Sequence, residues 1–190
     1  MSLEERVAEL RREHQDDQAA TAVIEALGSE ILGYLRAVLR DEGDANDAFS
    51  LFAEAVWRGL PGFRGEASLR VWCYRVAWRT VLSQKRDPYR RRRDRFETTM
   101  ASRVAGRIFA STAVELERQS TALERLRAKL EPEEQTLLTL RLDRKLSWRE
   151  VAEILSEEGG QPIDEQALRK RFERLKDKLF KAARDEGLVD

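Results

Sequence analysis

The part of the sequence that most restricts the fold lies near its C-terminal end. Ser147 and Glu150 have the spacing of a capping box, in which a hydroxyl and a carboxylate satisfy the free amides at the start of a helix. Further on, Asp164 precedes a run of apolar residues spaced by four, three and four: Leu168, Phe172, Leu175 and Leu179. The stretch therefore predicts a short capped helix followed by a longer amphipathic helix.

The outward face of this longer helix is basic, because Glu165 to Arg184 contains eight basic and three acidic residues. A helix that reads DNA needs this arrangement, since its first half reaches base edges and its flanks reach phosphates. The pair of helices thus has the shape of a helix-turn-helix, although the connection at 156–162 is longer than the usual three or four residues. The alternative is a basic face that is simply solvated.

A second unusual stretch, FRGEASLRVWCYRVAW, runs from Phe63 to Trp78. The glycines and proline of 59–68 predict a loop, and Ser68 is the expected N-cap of a helix to about Arg86. Leu69, Trp72, Cys73 and Val76 form one apolar face, while Tyr74, Trp78 and Val81 lie nearly opposite, among arginines. Aromatic rings between arginines can stack on separated bases. The alternative is that the second face packs on a neighbouring helix, such as 45–60.

The remaining patterns predict helices and one irregular segment. Residues 3–40 carry one helical stripe with a break expected at Gly28-Ser29, and Asp44 is expected to cap the helix at 45–60. Pro132 suits the first turn of a helix at 132–142. The sequence therefore predicts an all-α protein with two small helical domains, at 1–86 and 116–190, joined by a basic linker at 87–115.

Charge is unevenly distributed within a chain of 190 residues that has 35 basic and 35 acidic side chains. Residues 1–54 contain thirteen acidic and five basic residues, whereas 85–95 contain seven basic and two acidic ones. This asymmetry indicates nucleic acid at one surface and another partner elsewhere.

Few residues could support catalysis or bind a metal. The single histidine, His14, falls in a solvated helix with no second histidine and no nearby cysteine, so neither a catalytic site, nor a metal site, nor a cofactor is expected. The lone Cys73 excludes an internal disulfide and fits a reducing compartment. Because no signal peptide or membrane-spanning stretch is visible, we expect a cytoplasmic protein without membrane contact.

Two passages resemble the extracytoplasmic-function (group IV) sigma factors of bacterial RNA polymerase. FRGEASLRVWCYRVA, followed by SQKR, is similar to their region 2, and LEPEEQTLLTLRLDRKLSWREVAEIL with LRKRFERLKDKL is similar to their region 4. The resemblance implies a protein that binds core RNA polymerase at the clamp and flap of its large subunit, recognises a two-part promoter and helps to melt it. An anti-sigma factor is a further partner that the resemblance allows.

The resemblance also implies roles for individual residues. The residues implied at the −10 promoter element are Arg64, Ser68, Arg70, Tyr74, Arg75, Trp78 and Arg79. The residues implied at the −35 element are Gln166, Arg169, Lys170, Arg171 and Arg174. The residues implied at the polymerase clamp are Asp44, Asp47 and Trp57. Two other classes remain open, namely a helix-turn-helix regulator that does not replace a sigma factor and a sigma mimic that only occupies the polymerase.

Overall fold

Helices account for every regular element in the part of the chain that the structure describes, which confirms the all-α class. The computed structural model describes residues 1–86, 100–113, 122–156, 161 and 163–189. The chain divides into two compact units, Met1–Glu117 and Arg118–Asp190. The functional roles predicted for 1–86, 87–115 and 116–190 stay predictions.

The first unit begins with two helices where the sequence predicts one. Helix α1 (Leu3–Arg12) starts with a capping box between Ser2 and Glu5, and α2 spans Asp16–Leu39. His14 adopts a left-handed conformation with φ 57°, which ends the first helix and redirects the chain. The break predicted at Gly28-Ser29 is therefore wrong, because both residues lie inside α2.

The next two helices flank the aromatic stretch. Helix α3 spans Glu42–Gly59, and its N-cap is Asp41, whose carboxylate accepts a 2.8 Å hydrogen bond from the Asp44 amide. The prediction that Asp44 is the cap is therefore wrong. A 3₁₀ turn at Leu60–Gly62 leads into a loop, and α4 spans Leu69–Arg86. The predicted cap of α4 is confirmed, since Ser68 Oγ accepts a hydrogen bond from the Val71 amide at 3.2 Å.

A fifth helix, α5 (Met100–Ala113), corrects the prediction of an irregular linker at 87–115. It packs against α2 and α3 and buries a stripe of small and branched side chains: Ala101, Val104, Ala105 and Ile108. Phe109 stacks edge to face on Phe49 of α3, with ring centroids 5.5 Å apart. Helix α5 therefore contributes one face to the core of the first unit. The basic run from Asp87 to Arg95 lies outside the described residues.

The second unit follows the predicted helical pattern more closely. Its helices are α6 (Ala122–Arg127), α7 (Pro132–Leu138), α8 (Trp148–Leu155) and α9 (Glu165–Asp185). Pro132 lies in the first turn of α7, and a π-helical turn at Thr139–Asp143 extends it. The capping box of Ser147 and Glu150 opens α8 as predicted.

Helix α9 packs against α6, α7 and α8 through its apolar face. Leu168, Phe172 and Leu175 are buried, while Leu179 is half-buried. Lys178 forms an ion pair with Glu134 of α7 at 2.7 Å. The apolar face of the longer C-terminal helix is thus covered, and its other face is free to meet a partner.

Candidate nucleic-acid interface

The loop before α4 exposes its tip and fixes its ends. Arg64, Gly65, Glu66 and Ser68 are exposed, and Gly65 adopts φ 73°, a conformation that favours glycine. Phe63 is half-buried against Trp72, with ring centroids 5.3 Å apart. The loop therefore presents one cation, Arg64, and one hydroxyl, Ser68, on a fixed base.

Tyr74 and Trp78 of α4, predicted to contact separated DNA, do not face solvent. Tyr74 is completely buried, and Trp78 is only 4% exposed. The Tyr74 ring packs edge to face on Tyr34 of α2 at 5.3 Å. Because α4 packs against both α2 and α3, it needs two apolar faces, and the prediction that the second face is offered to separated DNA is wrong.

A carboxylate that the sequence does not single out, Glu30 of α2, organises the start of α4. Its Oε1 accepts hydrogen bonds from the Tyr74 hydroxyl at 2.9 Å and from Arg70 Nε at 2.8 Å. Arg70 therefore has a partner within the protein, although 38% of its side chain is exposed. The sequence allows one to expect that Arg70 has an acidic partner. It does not identify Glu30 as that partner, because the two residues are forty positions apart along the chain.

The rest of α4 places an aromatic ring beside two arginines. Ser68, Trp72, Arg75 and Arg79 are spaced by four, three and four, so they share one face of the helix. Trp72, Arg75 and Arg79 are half-buried. Arg70 lies about 140° from Arg75 around the helix, on another face. Trp72, predicted to be core, is thus the tryptophan that this face keeps partly exposed.

The core of α4 also contains the single cysteine. Cys73 is buried, and burial, reinforced by the negative charge of Glu30, raises the pKa of its thiol far above the ordinary value. The thiol is therefore protonated at neutral pH and serves packing.

The residues predicted to contact polymerase lie on α3. Asp47 is exposed, while Asp44 and Trp57 are half-buried. Asp44 and Asp47 are three residues apart and are therefore neighbours on one side of the helix. The Asp44 carbonyl accepts a hydrogen bond from Gln84 Nε2 at 3.1 Å, which links the start of α3 to the end of α4.

In the second unit, α9 exposes all five residues predicted for DNA recognition. Asp164 caps the helix by accepting hydrogen bonds from the amides of Gln166 and Ala167, at 3.2 and 3.1 Å. The exposed residues are Gln166, Arg169, Lys170, Arg171 and Arg174. Their spacing puts four of them on one face and Arg171 on its flank, opposite the buried side.

Trp148, the first residue of α8, supports the start of this face. Its ring packs edge to face on Phe172 at 5.5 Å, and the guanidinium of Arg169 lies 5.6 Å from its ring centroid. The guanidinium of Arg141 lies 4.3 Å from the same ring. Such cation–π contacts restrict the orientation of both arginines. The aromatic residue after the capping serine is the sequence signal for this support.

The long connection between α8 and α9 is closed at its ends. Ser156 Oγ donates to the Ala152 carbonyl at 2.6 Å and accepts from the Ile163 amide at 3.0 Å. The start of α9 is therefore fixed to the end of α8 despite the extra residues. Within the connection, 157–160 and 162 lie outside the described residues.

In the described ranges no group of three or more His, Cys, Asp or Glu side chains is arranged to hold a metal ion. None of the helices described has the length and apolar character needed to cross a bilayer.

Comparison with known proteins identifies both a matching domain and a relative. The family model Sigma-70 region 2 matches residues 23–96. RNA polymerase sigma factor YlaC of Bacillus subtilis (strain 168) is 32% identical over 134 residues, which is 66% of this chain and 73% of that protein.

Proposed function

The chain belongs to the extracytoplasmic-function family of RNA polymerase sigma factors, and on that premise we propose how its surfaces direct transcription initiation. It binds core RNA polymerase and promoter DNA and selects the start site without catalysis of its own. The observation that best supports this role is the capped helix α9, whose predicted DNA-reading residues are all exposed while its apolar face is buried.

Helix α9 reads the −35 element in the major groove. Gln166 and Lys170, in the first half of the helix, are placed to reach base edges, and Arg174 and Arg171 reach phosphates. Arg169 approaches DNA from beside Trp148, which limits the directions in which its guanidinium can point. The second unit therefore supplies both affinity and sequence recognition.

The loop 63–68 and one face of α4 hold the melted −10 element. Arg64 and Ser68 on the loop, with Arg75 and Arg79 on the helix, supply donors for the backbone of a single strand. The partly exposed ring of Trp72 lies on the same face and takes over the stacking role first predicted for Trp78. Tyr74 and Trp78 instead hold the helix in place from the core.

Helix α3 docks on the clamp of the polymerase large subunit. Asp47 and Asp44 offer neighbouring carboxylates, and Trp57 adds a half-buried ring further along the helix. The second unit meets the flap of the same subunit. The protein acts in the cytoplasm, where polymerase and promoter are found, and an anti-sigma factor is its candidate inhibitor.

Run-off transcription with purified core polymerase over a pool of promoter fragments tests this function. We expect transcripts that depend on the chain, from promoter fragments that share a −10 and a −35 motif. The variant Lys170→Ala should weaken promoter binding by about 1–3 kcal/mol if this lysine reads a base edge. Lys181→Ala, on an exposed position near the end of the same helix, serves as the matched control.

Two results would contradict the proposal. Binding to symmetric operator sites without any need for polymerase would indicate a helix-turn-helix regulator. Occupation of polymerase without transcripts, together with unchanged behaviour of the Lys170→Ala variant, would indicate a sigma mimic.

A further inference from the structure

The entrance of the promoter-facing loop is held by a residue from the other end of the first unit. Arg11, in the last turn of α1, donates from NH1 to the Phe63 carbonyl and from NH2 to the Pro61 carbonyl, both at 2.8 Å. These contacts cross about fifty positions of sequence, and α1 lies outside the match to the family model at 23–96. No role follows for α1 from that match.

The guanidinium acts where the backbone leaves regular structure. Pro61 belongs to the 3₁₀ turn after α3, and Phe63 is the first residue beyond it, with extended backbone. Arginine suits this position because its planar fork donates to two acceptors at once, which fixes direction as well as distance. Charge-assisted hydrogen bonds of this kind are stronger than those between neutral groups.

The far end of the loop is fixed independently. Ser68 caps α4 through the Val71 amide, and the Ser68 carbonyl accepts from the Trp72 amide at 3.0 Å. Phe63 also packs on Trp72, so one bond of Arg11 ends on the residue that contacts the partly exposed ring. Residues 64–67 form the stretch between these two fixed ends of the loop.

Helix α1 itself is firmly seated. It packs against α2 and buries Val7, and its capping box fixes its first turn. Arg11 is half-buried, whereas its neighbour Arg12 is exposed. The brace therefore connects the loop to a stable part of the unit.

We infer that Arg11 is a positioning residue for promoter melting: it fixes the backbone at Pro61 and Phe63 so that Arg64 and the Trp72 ring meet the separated strand in one geometry. This inference rests on the proposed role of loop 63–68. A loop that is ordered before binding loses less conformational freedom when it captures a base, and affinity rises accordingly. Arg11 acts through the loop and need not touch DNA.

Hydrogen exchange read by mass spectrometry, with DNA binding measured in parallel, tests the inference on the full chain. The variants are Arg11→Ala, Arg11→Lys and the control Arg12→Ala. In Arg11→Ala we expect amide exchange at 62–68 to become about tenfold faster, as loss of charge-assisted hydrogen bonds implies. Exchange in α4 and in the second unit should stay unchanged, and Arg12→Ala should resemble the original protein.

The binding assay uses holoenzyme with a single-stranded DNA oligonucleotide that carries the non-template −10 sequence of a promoter found active in the run-off assay. Arg11→Ala should reduce its affinity about tenfold, and Arg11→Lys should fall between, because an ammonium keeps the charge without the planar fork. Binding of a −35 duplex should not change, which separates a local effect from general damage.

Each negative result has a distinct meaning. Unchanged exchange at 62–68 in Arg11→Ala would overturn the inference, whatever happens to DNA binding. Faster exchange with undiminished oligonucleotide binding would overturn the proposed promoter role of the loop, and with it the functional part of the inference. If exchange in Arg11→Ala becomes faster throughout the first unit, the effect is not specific to the loop. Arg11→Lys is then compared with the original protein for amide exchange in the loop and for oligonucleotide binding.

Discussion

At the scale of single residues, α4 shows how two tryptophans six positions apart come to have different tasks. Trp78 is almost fully buried between neighbouring helices, whereas Trp72 is half-buried beside Phe63 and on the face of Arg75. Removal of Trp78 should therefore mainly affect folding, and removal of Trp72 should mainly affect DNA binding.

We expect Trp78→Ala to lower the free energy of unfolding by about 3–5 kcal/mol, as deletion of a large core side chain does. Trp72→Ala should cost less stability but weaken binding of a single-stranded −10 oligonucleotide by about 1–3 kcal/mol, the worth of one stacked base. Urea unfolding and fluorescence anisotropy measure the two effects. A Trp78→Ala protein with full stability and impaired binding would restore the first interpretation of the second apolar face.

The single thiol gives another prediction at this scale. Because burial raises the pKa of Cys73, the folded protein should not react with an aromatic disulfide reagent at pH 8, and one equivalent should react after unfolding in guanidinium. The raised pKa also means that the thiol contributes to stability below about pH 8.5 and that this contribution is lost as the pH rises further. Cys73→Ala is the control, and its stability should fall less between pH 8 and pH 10.

At the scale of helices, the sequence correctly predicts the N-terminal caps of α4, α8 and α9, whose hydrogen bonds are local. Ser68, Ser147 and Asp164 each cap the helix expected of them, because a cap depends on residues within one turn. Helix α5 was missed because its buried stripe consists of alanines, a valine and an isoleucine between exposed arginines, a weak apolar signal. The prediction for the two faces of α4 is wrong because their burial depends on packing against α2 and α3. The spacing of residues within α4 carries no information about that packing.

The contact between α5 and α2 distinguishes two glycines of α2, Gly28 and Gly33. A Cβ added at Gly28 would lie 3.1 Å from Ile108 Cγ1 and 3.2 Å from Phe49 Cζ, whereas at Gly33 it would meet nothing within 4 Å. Gly33→Ala should therefore stabilise the protein by about 0.5–1 kcal/mol, the usual gain within a helix. Gly28→Ala should gain less or lose stability, because Ile108 and Phe49 must move.

Thermal unfolding followed by circular dichroism compares the two variants. Combining Gly28→Ala with Ile108→Ala, which removes Cγ1, should bring the effect of the alanine at position 28 closer to that at Gly33, relative to Ile108→Ala alone. Equal gains at Gly28 and Gly33 would mean that Ile108 and Phe49 move aside at no cost, and would contradict the tight packing predicted around Gly28.

At the scale of the whole molecule, a balanced total charge conceals two surfaces suited to different partners. The 35 basic and 35 acidic side chains cancel in sum, but the first 54 residues are strongly acidic and α9 is strongly basic. A protein that must bind both a polymerase and a polyanion benefits from this separation, because uniform positive charge would favour nonspecific DNA binding. The net charge of the whole chain therefore does not indicate a nucleic-acid partner. The distribution of charged residues along the chain does.

The separation predicts how promoter binding depends on salt. Holoenzyme carrying this chain should lose affinity for promoter duplex as salt rises, because each phosphate contact releases counterions. Arg171→Ala and Arg174→Ala should each reduce the magnitude of the slope of log K against log salt by about 1, which one lost phosphate contact implies. Lys181→Ala should leave the slope unchanged, since this exposed residue lies in the half of α9 that is expected to point away from the groove. Equal slopes for all four proteins would place the phosphate contacts elsewhere and would contradict the roles proposed for Arg171 and Arg174.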